Sequence, residues 1–224
     1  MAGQDTLQRT LSDTIELSQE LREEGRIDGQ VKLYNVEDDS EFESDPELFF
    51  DRTLMTNGLR EALTILRDSL NGDDPRSTHV LYGPYGSGKS HQMVALYHCF
   101  NAPSVAGRWG DGKIEGFADA LPESARVISV AMQYRNNEFD YLWEPFFDEL
   151  DYDPGVDESG GYPDIQDIEA AVGDQTVAVM LDELEDWYET LDDEKEAGNR
   201  AFLQSLLEAT DMDDLELYTI ESVL

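Results

Sequence analysis

Cysteine is almost absent from this chain. Cys99 is the only cysteine among 224 residues, which excludes a disulfide within the chain and a cysteine-rich zinc site. We expect Cys99 to be a small, buried apolar residue. The histidines His79, His91 and His98 do not have the spacing typical of metal ligands. Neither residue type therefore predicts a metal centre.

Positive charge is also scarce. Lysine plus arginine number 15 against 51 aspartate plus glutamate, which gives a formal net charge of −36. Nucleic-acid-binding surfaces place many Lys and Arg side chains on phosphates, so DNA contact by this chain is not expected. Because concentrated salt screens the repulsion among so many carboxylates, the charge balance favours a halophilic source. The hydrophobic fraction of 40% favours a folded protein over a disordered one.

Long apolar runs are missing as well. No stretch approaches the roughly eighteen residues that a membrane-spanning helix needs. Residues 1–20 are polar and acidic, without the basic start and apolar centre of a secretory signal. The sequence therefore predicts a soluble, cytoplasmic protein.

The chain does contain a phosphate-binding loop pattern. The pattern G-x-x-x-x-G-K-[ST] is met at every specified position by Gly83, Pro84, Tyr85, Gly86, Ser87, Gly88, Lys89 and Ser90. Its glycines allow backbone N–H groups to surround phosphate oxygens. We expect Lys89 to reach the β and γ phosphates of ATP and Ser90 to bind Mg²⁺. His91 is a further candidate for nucleotide contact, although packing of the helix explains it equally well.

The residues around this loop have the expected order of elements. Thr78–Tyr82 is a short apolar strand candidate, and Met93, Leu96, Tyr97 and Phe100 recur at helical spacing after the loop. A glycine turn that binds nothing is the alternative. Strand, loop and helix in this order favour nucleotide binding.

A second candidate motif lies downstream. Val177–Leu181 is an uninterrupted apolar run, typical of a buried parallel strand, and it ends in Asp182 and Glu183. Such a strand delivers its last side chains to the edge of the sheet where ligands bind. Asp182 is predicted to hold Mg²⁺ with Ser90, and Glu183 to polarise the water that attacks the γ phosphate. In so acidic a chain, the alternative is an acidic pair without function.

The whole chain alternates predicted strands and helices. Four strands are expected to begin near Thr78, Arg126, Val177 and Leu215, with a possible additional short strand at Val31–Val36. Further helices are predicted to begin at Pro46 and to lie near residues 7–21, 56–70, 141–150, 164–172 and 196–209. The alternation predicts a three-layered α/β domain with a mostly parallel sheet.

The sequence divides into two parts. Residues 1–44 contain a helix with an apolar stripe and the acidic connector Glu37–Glu41. Residues 45–224 form the predicted nucleotide-binding domain, which opens with Asp45 as an N-cap and Pro46 at the first helical position. Since the chain stops after its fourth predicted strand, we expect it to be the N-terminal part of a larger protein or a shortened gene product.

Parts of the second region resemble a known family. Three stretches resemble a family of predicted AAA+ superfamily ATPases: Asp45–Thr53 with the helix that follows, Leu81–His91 and Ala95–His98. Members are large prokaryotic proteins, often encoded beside DNA methyltransferases and helicases in antiviral defence islands. The resemblance implies a P-loop NTPase fold of the additional-strand class, whose fourth strand lies between the first and third. It also implies that Thr219 or Ser222 senses the γ phosphate.

Together these features predict an enzyme that binds and hydrolyses ATP with Mg²⁺. The resemblance implies an AAA+-like module in a DNA modification or antiviral defence complex, with protein partners and self-association as an option. One alternative is a nucleotide-gated scaffold with little hydrolysis. Another is a replication-initiator-type ATPase, although no basic or winged-helix segment follows in this chain.

Overall fold

The computed structural model describes residues 30–132, 138–156, 161–212 and 214–223. The chain divides into two compact units, Met1–Gln30 and Val31–Leu224, and nearly all described residues belong to the second. The helix predicted near residues 7–21 lies outside the described residues. The proposed domain boundary between residues 44 and 45 stays a prediction.

Helices and strands alternate along the described residues, as the sequence predicts. In chain order they are α1 (Pro46–Asp51), α2 (Asn57–Leu70), β1 (Thr78–Tyr82), α3 (Lys89–Asn101), α4 (Pro103–Gly110), α5 (Phe117–Ala120), β2 (Arg126–Ala131), α6 (Trp143–Glu149), α7 (Ile165–Val172), β3 (Val177–Asp182), α8 (Leu184–Tyr188), α9 (Asp193–Ala209) and β4 (Leu217–Val223). The last strand begins two residues later than expected and includes Ser222.

The four strands form one parallel sheet in the order β1-β4-β3-β2. The fourth strand therefore lies between the first and the third, which is the order that the family resemblance implies. In the register, Ser222 of β4 is paired with both Leu81 of β1 and Asp182 of β3. This pairing brings the ends of three strands to one edge of the sheet.

Helices cover both faces of the sheet. Alternate residues of β3 point to opposite faces: Ala178 and Met180 pack in the core that includes α3, whereas Val177 and Val179 pack in the core that includes α6, α7 and α9. All six residues of β3 are buried, as expected for a parallel strand covered on both sides. The mixed α/β architecture with a parallel sheet is therefore confirmed.

The predicted helix caps near the start of this unit are present. Asp45 accepts hydrogen bonds from the backbone N–H groups of Glu47 and Leu48, and Pro46 occupies the first turn of α1. Thr56 accepts from the backbone N–H of Leu59 at the start of α2. Such caps satisfy N–H groups that have no acceptor within the helix, and each contributes about 1 kcal/mol.

The short strand predicted at Val31–Val36 is wrong. This segment contains a 3₁₀ turn, Leu33–Glu37. The reason is the buried carboxylate of Glu43, whose Oε1 accepts hydrogen bonds at 3.1 Å from the backbone N–H of Lys32 and from the side-chain amide of Asn35. The segment folds around this carboxylate instead of adding to the sheet. The acidic connector Glu37–Glu41 that follows is exposed, as predicted.

No helix within the described ranges combines the length and apolar character needed to cross a membrane.

Candidate functional site

The phosphate-loop sequence connects the end of β1 to the start of α3. Gly86 and Gly88 adopt φ values of +78° and +87°, a left-handed conformation that costs other residues about 1–2 kcal/mol. A Cβ atom at Gly83 would lie 2.8 Å from the Ser87 Oγ. Backbone geometry and close approach therefore require glycine at these three positions.

The loop presents its backbone to solvent. Five consecutive residues of the loop are exposed: Pro84, Tyr85, Gly86, Ser87 and Gly88. Gly88 is the N-cap of α3, and no side chain caps this helix end. The first N–H groups of a helix have no intrahelical acceptor, and the helix dipole places positive charge there, so this end suits an anion.

Lys89 lies over the loop that precedes it. Its Nζ donates a hydrogen bond to the backbone oxygen of Gly83 at 2.5 Å and lies 5.9 Å from the centre of the Tyr85 ring. Burial raises the pKa of the Asp182 carboxyl, and the positive charge of Lys89 partly offsets this rise. Two predicted site residues that are far apart in sequence thus influence each other electrostatically.

Asp182 ends β3 in a largely buried position. Only 7% of the residue is exposed, and its Oδ1 accepts a hydrogen bond from the Ser222 hydroxyl. Burial raises the pKa of Asp182, and this outweighs the lowering by Ser222, Lys89 and the backbone N–H of Glu183. Burial of a carboxylate lowers the stability of the fold, and carboxylates with perturbed pKa values are common at functional sites.

The structure distinguishes the two candidate sensor residues. Ser222 contacts Asp182. Thr219 instead donates a hydrogen bond at 3.0 Å to the Thr78 hydroxyl at the beginning of β1. Thr219 lies three residues before Ser222 on β4, which places it about 10 Å from the end of the sheet that carries the loop. Of the two, only Ser222 lies at the predicted site.

Glu183 follows Asp182 in an unusual backbone conformation. Its φ of +60° and ψ of 39° are left-handed, and it is the N-cap of α8. A non-glycine residue in this region stores about 1–3 kcal/mol of strain, and such residues cluster at functional sites. The half-buried Glu183 follows directly after the last residue of β3.

His91 is held by residues outside the loop. Its Nε2 lies 2.9 Å from the hydroxyl oxygen of Thr53, and its ring centre lies 4.9 Å from that of Phe49. Burial lowers the pKa of His91. Helix packing therefore accounts for His91, whereas its predicted nucleotide contact stays a prediction.

The described residues contain no group of three or more His, Cys, Asp or Glu side chains suited to a metal ion. A site built from the Ser90 hydroxyl and the Asp182 carboxylate supplies only two protein ligands. This matches the usual Mg²⁺ site of a phosphate-binding protein, in which one or two protein groups are completed by phosphate oxygens and water. The residues present thus fit Mg²⁺ delivered with a nucleotide.

The fold and the site define a mixed α/β protein whose parallel sheet carries a phosphate-loop sequence and a buried aspartate at one edge. A family model described as the DUF499 N-terminal domain matches residues 16–138. The match covers more than half of the chain, which therefore belongs to the DUF499 family. It includes β1, the loop and α3 but ends before Asp182. A search of curated proteins found no match.

Sequence reasoning missed one residue near the site. In the sequence, Thr53 is only one residue of a stretch that resembles a family, yet its hydroxyl contacts His91 across 38 positions of the chain. A threonine four residues after Phe49 predicts a bond back to the helix carbonyl, which is present at 2.7 Å. Nothing in the local pattern indicates the second contact.

Proposed function

We propose that this chain is an ATP-binding module that hydrolyses ATP with Mg²⁺. One arrangement supports the proposal above all. The phosphate-loop sequence and Asp182 meet at the carboxyl edge of a parallel sheet, where α/β proteins of this kind bind ligands. The charge of Lys89, which partly offsets the effect of burial on the pKa of Asp182, adds to this support.

The roles follow from the chemistry of each group. The backbone N–H groups of the loop and the start of α3 bind the phosphates, with Lys89 neutralising the charge of the β and γ groups. Ser90 and Asp182 would hold Mg²⁺, and the ion would supply positive charge to the phosphate oxygens. Glu183 orients the attacking water and accepts a proton from it.

The finer assignment is to the P-loop NTPases of the additional-strand class, in an AAA+-like form. The position of β4 between β1 and β3 supports it. The resemblance of Asp45–Thr53 and Leu81–His91 to ATPases of defence islands supports a role in a DNA modification or antiviral complex. In that setting Ser222 senses the γ phosphate through its contact with Asp182.

The decisive experiment measures ATP binding to the chain with Mg²⁺ in molar KCl, because the charge of −36 calls for screening. We expect Lys89→Ala to weaken binding about 100-fold, since it removes charge-assisted contacts worth roughly 2–3 kcal/mol. Lys113→Ala is the matched control, because Lys113 is exposed and bonds to the Trp109 backbone oxygen. Equal binding by both variants would contradict the proposal.

A second pair of variants tests hydrolysis separately. Glu183→Gln should bind ATP as tightly as the wild type and yet turn it over at least ~100-fold more slowly, because the amide is a poor base. Glu189→Gln, on an exposed residue at the end of α8, should leave turnover unchanged. Normal turnover in Glu183→Gln would remove Glu183 from the mechanism.

A nucleotide-gated scaffold is the second candidate. Among the described residues, the hydrogen-bond partner of the Asp182 carboxylate is Ser222 and not an arginine, whereas phosphoryl transfer commonly uses an additional arginine. Tight ATP binding without turnover in the wild type would favour this function.

A further inference from the structure

A hydrogen-bonded link joins the turn after α1 to the first turn of α3. The Thr53 hydroxyl donates to the backbone oxygen of Phe49 at 2.7 Å, and the oxygen of this hydroxyl lies 2.9 Å from the His91 Nε2. Because the single proton of this hydroxyl is used by Phe49, the His91 Nε2–H must be the donor in the second bond. Thr53 is only 6% exposed, so water does not compete freely for this link.

Ring packing strengthens the same link. The Phe49 ring lies 4.9 Å from the His91 ring and 5.4 Å from the His98 ring, measured between ring centres. His91 and His98 are seven residues apart and thus lie on one side of α3. Helix α1 therefore packs along this side of α3, and the Thr53 hydroxyl fixes the end of α3 that is nearest the loop.

The linked turn is the one that carries the proposed phosphate and metal ligands. Lys89, Ser90 and His91 are the first three residues of α3 after the N-cap Gly88. On its other side the loop is joined to the sheet, where the Gly83 N–H bonds to the Val223 backbone oxygen at 3.4 Å. The sheet and the Thr53–His91 bond thus hold the loop and the first turn of α3 from two sides.

We propose that Thr53 is a positioning residue for the nucleotide site, acting through His91. The inference rests on the proposed ATP-binding function. With His91 bonded to Thr53, the first turn of α3 is held in place before the nucleotide arrives, so Lys89 and Ser90 need little rearrangement to bind it. Sites that are preorganised in this way lose affinity when the supporting residues are removed.

Three substitutions test the role of the hydroxyl. Thr53→Val keeps the shape but removes the acceptor, and we expect the KM for ATP to rise about 3- to 10-fold. Thr53→Ser keeps the hydroxyl and should restore the wild-type KM. Thr64→Val is the matched control, because the Thr64 hydroxyl makes the same bond to a carbonyl four residues back, Arg60 O at 2.7 Å.

The measurement separates positioning from stability. Steady-state ATP turnover and equilibrium ATP binding are measured on the full chain in molar KCl, together with the melting temperature. A purely structural defect reduces the amount of folded protein and so lowers the apparent kcat at constant KM. Positioning raises KM and Kd while the kcat at saturating ATP stays within about 2-fold of the wild type.

A double-mutant cycle provides the second test. His91→Phe keeps the ring against Phe49 but removes the N–H donor, and it should raise the Kd for ATP as much as Thr53→Val does. The double variant should be no worse than either single variant, because both remove the same bond. If Thr53→Val fails to fold, His91→Phe still tests the link by the same Kd measurement.

Three outcomes overturn the inference, and only the last of them also overturns the proposed function. If the wild type binds ATP and Thr53→Val and His91→Phe bind it equally well, the link has no positioning role, although the proposed function stands. The same conclusion follows if Thr64→Val raises the Kd as much as Thr53→Val. If the wild type does not bind ATP at all, both the proposed function and this inference fail.

Discussion

The two edges of the parallel sheet differ. At the amino edge, where the strands begin, hydroxyl groups hydrogen-bond to one another, whereas at the carboxyl edge a hydroxyl hydrogen-bonds to a buried carboxylate. Thr219 donates to Thr78, which lies 3.0 Å from the Thr210 hydroxyl. Thr210 donates to the Leu207 backbone oxygen, so Thr78 must donate to Thr210. Every proton in this chain of hydroxyls has an acceptor, and no charge is buried.

The carboxyl edge of the same strands is built differently. Ser222 donates to Asp182, whose pKa is raised by burial, and Glu183 next to it has a strained backbone. Lys89 rests on a loop carbonyl, and the loop itself is exposed. The two ends thus differ in chemistry, since the hydroxyl chain at one end buries no charge, whereas the other end holds a buried carboxylate next to a strained residue. This difference is expected where one edge of a sheet serves a ligand.

The largest expected effect is on ATP turnover. Asp182→Asn should lower Mg²⁺-dependent turnover about 100-fold or more, because it removes the proposed charged metal ligand. Thr219→Val, at the other end of the sheet, should change turnover less than about 2-fold, since it lies far from the proposed chemistry. A phosphate-release assay checks both, and equal losses would break the comparison between the two ends.

A smaller effect is expected from glycines on either side of β1. Gly88 in the loop and Gly72 in the turn before the strand have φ values of +87° and +73°, and a Cβ atom at either position would contact nothing within 4 Å. Alanine should thus cost each site about 1 kcal/mol through backbone strain. Only Gly88→Ala should also weaken ATP binding, by about 10-fold, because it alters the N–H groups that bind phosphate.

Thermal melting and isothermal titration together check this prediction. Gly72→Ala is the control for strain without ligand contact. If the two variants weaken ATP binding equally, the left-handed residue of the loop has no special role in binding.

The smallest expected effect is on stability, and its sign differs between the ends. Since burial raises the pKa of Asp182, the folded state disfavours its charge, and Asp182→Asn should raise the Tm of the protein at pH 7. Thr219→Val should destabilise it by about 1 kcal/mol, because one hydrogen bond is lost.

The pH dependence sharpens this prediction. The contribution of Asp182 to stability is greatest below its unfolded pKa of about 3.9 and is lost as the pH rises through the higher folded pKa. The Tm difference between Asp182→Asn and the wild type, measured without Mg²⁺, should therefore shrink as the pH falls towards 4. A constant difference would mean that the charge of Asp182 is not the cause.

Much of the fold could be predicted because its signals are local. The apolar run of β3 and the caps Asp45 and Thr56 depend on neighbours within a few residues, and the structure confirms them. The segment Val31–Val36 has an apolar pattern too, but the buried carboxylate of Glu43 determines its conformation. The 3₁₀ turn of this segment depends on Glu43, and no local sequence pattern links Glu43 to the segment.

The candidate site divides in the same way. The loop pattern and the Asp182-Glu183 pair could be found in the sequence, because each is a short run with fixed spacing. Sequence reasoning could not choose between Thr219 and Ser222, since that choice depends on which residue of β4 ends at the loop side of the sheet. The left-handed backbone of Glu183 also gave no signal, because glutamate rarely adopts it.

The sequence by itself determined the order of strands and helices, the phosphate-loop pattern and the acidic surface, since these follow from composition and from contacts between near neighbours. Tertiary structure alone decided that Ser222 meets Asp182 across 40 positions and that Thr53 meets His91 across 38. The physical reason is that both contacts depend on how separate elements pack. One is fixed by strand register, the other by the packing of α1 against α3.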